Sequence, residues 1–122
     1  MSAASIVGPD FVAFVVEDVE ATAKFWMDVV GLKPAAHSPP GAQVFETSPI
    51  PFAIRTPRPG ESIGGGAGVA LWFSVSGDVD EYRDALLHRG ADAGEVDNGP
   101  FGRMFKLHAP GGFSVTVHAA QP

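Results

Sequence analysis

Four histidines, fourteen acidic side chains and no cysteine limit what this chain can do chemically. Without thiols there is no thiolate nucleophile, disulfide or zinc ribbon. His37 sits in a proline-rich loop, His88 beside the end of a predicted helix, and His108 and His118 at strand ends. No Ser-His-Asp spacing, nucleophile elbow, phosphate-binding loop or paired-carboxylate site accompanies them. Glu46, Glu61 and Asp97 read as solvated acids, and Arg103 as a structural arginine anchoring the loop before the last hairpin. Non-covalent chemistry has a better signature. Along Val69 to Val75 the side chains alternate, with Val69, Leu71, Phe73 and Val75 on one face and Ala70, Trp72, Ser74 and Ser76 on the other. The first set suits packing on a helix. The second sets a large flat indole among small groups, as the wall of a ligand cavity requires.

That strand belongs to a unit written twice. Phe14, Val16, Asp18, Val19 and Glu20 recur about sixty residues on as Phe73, Val75, Asp78, Val79 and Asp80. Two copies of one supersecondary unit are expected, too few for a solenoid. In the first copy Phe11 to Val16 is wholly apolar, which predicts a strand buried on both faces. Asp18 and Asp78 stand where a helix N-cap belongs, and Glu81 adds a capping-box pattern. Behind the caps, Val19, Ala23, Trp26, Val29 and Val30 recur at helical spacing, as do Val79, Tyr82, Ala85 and Leu86. The helices, about 19–30 and 79–89, close at Gly31 and Gly90.

The rest of the chain follows from this frame. Residues 1–9 are expected to form a loose arm, 42–47 and 51–56 short strands, and 102–108 with 113–118 a hairpin turned by Ala109-Pro110-Gly111-Gly112. Pro57 to Gly66 is too rich in glycine and proline for regular structure and separates the copies. One domain over 1–122 is expected, with modules at about 9–56 and 68–118 and a linker at 57–67. The order is strand, helix, three strands, twice, a third strand of the second copy being implied within 92–100. A net charge of −6 argues against nucleic acid. The N-terminus carries neither a basic region nor an apolar run, so a cytoplasmic protein with no membrane partner is expected.

The segments VVEDVEATAKFWMDVVGLK, SGDVDEYRDALLHRGAD and FGRMFKLHAPGGFSVTV resemble the vicinal oxygen chelate superfamily, which holds glyoxalase I, the extradiol dioxygenases and the bleomycin-resistance proteins. The likeness runs over about residues 9–118. It implies an α+β fold of two βαβββ modules in tandem, their curved mixed sheets forming a cup. Family chemistry uses a divalent metal held by His and Glu, and the matching positions here are Phe11, Ala70, Thr116 and either Ala53 or Arg55. None supplies an imidazole or a carboxylate, so neither a metal nor another cofactor is expected.

What the resemblance then implies is the metal-free bleomycin-resistance branch, small homodimers that hold a drug away from its target. The expected lining is Trp72, Phe11, Phe45, Arg55, Ser74, Met104, Thr116 and His118, with Phe14, Phe52 and Phe73 in the core. Three functions follow: a protein sequestering an antibiotic or aromatic natural product; a metal-independent isomerase, cyclase or lyase using Arg55, Glu46 or His118 as acid or base; or a non-catalytic structural or regulatory dimer. The first is favoured, with no catalytic residue assigned.

Overall fold

A computed structural model describes residues 4–120. The first module comprises β1 (Val12–Val15), α1 (Val19–Lys24) running on into a π-helical segment (Phe25–Val30), β2 (Lys33–Pro34), β3 (Ala42–Glu46) and β4 (Phe52–Arg55). The second comprises β5 (Trp72–Val75), α2 (Val79–His88), β6 (Asp92–Ala93), β7 (Asp97–Gly99), β8 (Gly102–Ala109) and β9 (Phe113–Ala119). The sheet orders are β1-β4-β3-β2 and β5-β9-β8-β6, with β7 also pairing with β8. In each sheet the first strand runs parallel to the last and the other pairs are antiparallel. The fold is α+β, two curved mixed sheets each carrying one helix, as expected.

The caps form as the sequence implies. Asp18 Oδ1 accepts from the Ala21 amide and Asp78 Oδ1 from the Glu81 amide, both at 3.0 Å. The first helix departs from expectation by widening after Lys24. The Gly31 and Leu32 amides both donate to the Trp26 carbonyl, at 3.0 and 2.9 Å, and Gly31 closes the helix at φ 95, a left-handed conformation that glycine adopts without strain. The last carbonyls of this helix are met from the other module: Tyr82 Oη donates to the Val30 carbonyl at 2.6 Å and Arg89 Nη1 to the Val29 carbonyl at 2.9 Å.

One apolar cluster spans both sheets. Trp26 is fully buried at its centre, stacked on Phe73 at 5.5 Å and meeting Phe14 and Phe52 edge-on. Phe14 stacks on Phe113 at 3.9 Å. These ring pairs hold the two modules together, since β1 and β5, each at the edge of its own sheet, do not pair with one another.

Two expectations need correction. Phe11 to Val16 is not buried on both faces. Phe14 and Val16 face the core, whereas Val12, Ala13 and Val15 are only half-buried, because the free side of β1 borders a cleft. The strand expected over Val69–Val75 is regular only from Trp72, and Val69 lies exposed before it. The remaining strand of the first module, which had no sequence signal of its own, is the short β2, beginning two residues past the Gly31 cap.

The glycine- and proline-rich linker is docked rather than free. The Gly66 amide donates to the Gly112 carbonyl at 3.4 Å, and a Cβ on Gly65 would come within 3.1 Å of that same oxygen. Glycine is needed there for close approach of two backbones. At the other end Arg55 Nη1 and Nη2 donate to the two carboxylate oxygens of Glu61 at 2.6 and 2.7 Å, and the Arg58 amide donates to Glu61 Oε1 at 2.7 Å. Glu61 therefore does not read as a solvated acid. The Arg55 guanidinium first, and the Arg58 amide second, hold its carboxyl down at about 2, against 4.5 ordinarily. A depressed carboxyl contributes stability above its ordinary value and loses it as pH falls through the folded one. The Glu61 side-chain carboxyl should accordingly titrate by carbon-detected NMR with a midpoint near 2, the linker amides broadening over the same range. A midpoint near 4.5 would show that the clamp does not persist in solution.

Candidate functional site

The internal repeat gives corresponding faces to the two sheets. β1 runs beside β4 with Ala13 opposite Ala53 and Val15 opposite Arg55. β5 runs beside β9 with Trp72 opposite Thr116 and Ser74 opposite His118. Because Phe14 corresponds to Phe73, the four residues Ala13, Val15, Ala53 and Arg55 in the first module match Trp72, Ser74, Thr116 and His118 in the second. The counterpart of Thr116 is thus Ala53, and Arg55 is the counterpart of His118. One sheet presents small apolar groups and an arginine, the other an indole, two hydroxyls and an imidazole.

Between the facing edges of β1 and β5 runs a cleft with two lobes that share Val12 and Leu71. The first, about 350 Å³, is bounded by β1, Gly64–Gly66, Val69 and Phe113. Its side chains are apolar apart from Ser62 and Ser114. The second, about 430 Å³, lies between the β3–β4 turn, residues 46–51, and the β5 side chains Trp72 and Ser74, with His118 and Leu32 completing it. Here the indole, 37% exposed, meets Phe101 edge-on at 5.8 Å and the His118 ring edge-on at 5.2 Å. His118 Nδ1 is buried without a hydrogen-bond partner. A flat apolar wall with a few unengaged polar groups is the composition of a ligand site, and only the second lobe has it.

The expected lining residues divide accordingly. Trp72, Ser74 and His118 come together in the second lobe. Thr116, only 3% exposed, borders instead a shallower, more polar groove with Ala70, Lys106 and Ser114. Met104 stands across the β8–β9 ladder from His118, half-buried against Gly99, outside the cleft. Phe11 precedes β1 and is exposed without bordering either lobe. Arg55 is engaged by Glu61. Phe45, expected in the lining, is a core residue instead: it pairs with Phe52 across the β3–β4 hairpin, stacks on it at 6.0 Å and is fully buried. The turn between those strands, Thr47–Pro51, supplies a wall of the cleft that sequence reading treated as a mere connection. Arg103, by contrast, holds Asp80 at the start of α2 through two hydrogen bonds of 2.7 and 2.9 Å, an anchoring role.

Two modules, each a strand and a helix followed by three strands in the first and four in the second, with a cleft between their first strands, define the fold class. The chain belongs to the glyoxalase/bleomycin resistance protein/dioxygenase superfamily, whose family model matches residues 8–117. Among solved structures it is similar to the bleomycin-binding protein from Streptomyces verticillus complexed with copper(II)-bleomycin, at 19% identity over 98% of this chain and 100% of that one, TM-score 0.70. It is similar also to TnmS3, an antibiotic binding protein from Streptomyces sp. CB03234, at 20% identity over 97% and 100% of the chains, TM-score 0.74. A third is the fosfomycin resistance protein FosX from Listeria monocytogenes, complexed with Mn(II) and sulfate, at 18% identity over 96% and 93%, TM-score 0.73. No curated protein matches the chain. At these identities the likeness concerns the fold.

A manganese relative raises the question of a metal here. Phe11, Ala53, Ala70 and Thr116 offer one hydroxyl and no imidazole or carboxylate. Among the described residues no group of three or more histidines or acids is placed to hold an ion. The donor set does not fit a divalent metal at this site. No helix among the described residues is long and apolar enough to cross a membrane.

Proposed function

We propose that the chain is a binding protein that sequesters a planar aromatic or conjugated small molecule, such as an antibiotic or other natural product, without metal and without turnover. The observation that carries this reading is the second lobe of the cleft, where Trp72 stands exposed beside His118 and Ser74, while Glu46, the one carboxylate lining the lobe, is ion-paired with Lys33 at 3.4 Å. Stacking on the indole supplies affinity and the polar groups supply orientation. The two antibiotic-binding relatives of the same fold support it; the fosfomycin resistance relative keeps the enzyme class in play. The test is chemical. A planar aromatic ligand that quenches Trp72 fluorescence should be recovered unchanged by mass spectrometry after prolonged incubation with substoichiometric protein. Accumulating product would overturn sequestration in favour of catalysis.

The protein is further proposed to act as a homodimer. Ile6, Val7, Phe11 and Val69 are exposed apolar side chains, 96%, 102%, 47% and 72% accessible, and a second copy would cover them. Analytical ultracentrifugation at micromolar concentration should give twice the 12.7 kDa chain mass. A monomer mass would leave the cleft within one chain as the whole site.

A further inference from the structure

We propose that Arg55 and the Arg58 amide form a carboxylate-binding site that Glu61 fills in the free protein, and that an apolar carboxylate displaces Glu61 and enters the first lobe of the cleft. This second site is independent of the reading given for the second lobe. Glu61 shows what the site accepts. Arg55 Nη1 and Nη2 grip its two carboxylate oxygens at 2.6 and 2.7 Å, and the Arg58 amide adds a third bond at 2.7 Å. This is the fork geometry by which arginine recognises any carboxylate. Nη1 also donates to the Thr56 carbonyl at 3.2 Å, a bond that orients the fork without help from Glu61. The Arg55 and Glu61 side chains are 17% and 37% exposed, so a solute can reach the pair. An ion pair open to solvent is weak enough for an outside carboxylate to compete with.

The same pair is the latch of the linker. Among the described residues, the hydrogen bonds that tie Pro57 to Gly65 to the rest of the fold are the two from Arg55 to Glu61. Residues 57–64 are exposed and lie outside any helix or strand. Immediately beyond the latch, Ser62 and Gly64–Gly66 wall the first lobe, and Val15, the strand partner of Arg55, lines it as well. Displacing Glu61 therefore frees one wall of that lobe. No charged side chain lines it, and its side chains are apolar apart from Ser62 and Ser114. The lobe suits a hydrocarbon part while Arg55 takes the carboxylate, which defines the ligand class as an arylalkanoate or a medium-chain fatty acid. A neutral molecule of the same shape has nothing to exchange for Glu61 and leaves the latch closed.

The probes are 4-phenylbutyrate and its neutral amide, 4-phenylbutyramide, titrated near neutral pH into the full chain labelled with ¹³C and ¹⁵N. The acid should move the Glu61 carboxyl carbon, the Arg58 amide and the amides of Ser62 and Gly64–Gly66, and bind about five- to tenfold more tightly than the amide probe. Glu61→Ala should tighten the acid about three- to tenfold and leave the amide probe unchanged, because an internal competitor lowers apparent affinity by the fraction of time it fills the site. Arg55→Gln should abolish the preference for the acid. Should that variant fail to fold, the wild-type shifts and Glu61→Ala decide. A Glu61 carboxyl and Arg58 amide that stay still at high acid concentration, or a Glu61→Ala variant that binds the acid no better, would overturn the proposal. If the acid instead perturbs only Trp72, Ser74 and His118, the carboxylate site is lost and the second-lobe reading stands.

Discussion

Trp26→Ala should destabilise the fold by about 3–5 kcal/mol, the range for truncating a large buried aromatic. Trp26 is fully enclosed and touches Phe14, Phe25, Phe52 and Phe73, so its removal empties the junction between the two sheets rather than one pocket wall. The β1 and β5 edges share no hydrogen bonds that could compensate. Against a typical total stability of about 5–15 kcal/mol the loss is severe. Urea denaturation should show a greatly lowered midpoint with a similar slope. A change under about 1 kcal/mol would mean that Trp26 does not bridge the modules in solution.

The second large effect falls on binding. Trp72→Ala should weaken a stacked planar ligand by roughly 1–3 kcal/mol, about ten- to hundredfold, as for an aromatic hot spot. The indole is 37% exposed and leans on Phe101 and His118 rather than on the core, so the unfolding midpoint should hardly move. Calorimetric titration alongside denaturation separates the two quantities. Loss of stability comparable to that of Trp26→Ala, with affinity intact, would make Trp72 a packing residue.

Much of this architecture was legible because local signals were repeated. Asp18 and Asp78 each stand three residues past the end of a strand and precede a helix, and both caps form. Around Trp72 the alternation holds in exposure, with Phe73 and Val75 half-buried and Trp72 and Ser74 exposed, but Val69 is exposed and Leu71 lines both lobes of the cleft from the face expected to be core. Phe45 is ambiguous in the sequence for a reason of register. Val44 and Phe45 are both apolar, so β3 does not declare which face is buried; only the hairpin pairing of Phe45 with Phe52, a core residue, does. Consistent pairing across the turn was the available signal. Arg55 could not be placed because its partner Glu61 lies in a segment whose composition promises no structure, and the docking of that segment depends on backbone approaches that glycine permits but does not announce. The widening of the first helix has no sequence marker.

Occupation of the second lobe of the cleft by ligand is tested most directly by backbone amide shift mapping with the planar aromatic probe 9-fluorenone. The largest perturbations should fall on Trp72, Ser74, His118 and the Thr47–Ile50 turn, residues brought together only by the fold. Perturbations confined to Gly64–Gly66, Val69 and Ser114 in the first lobe, or absent from both, would contradict it.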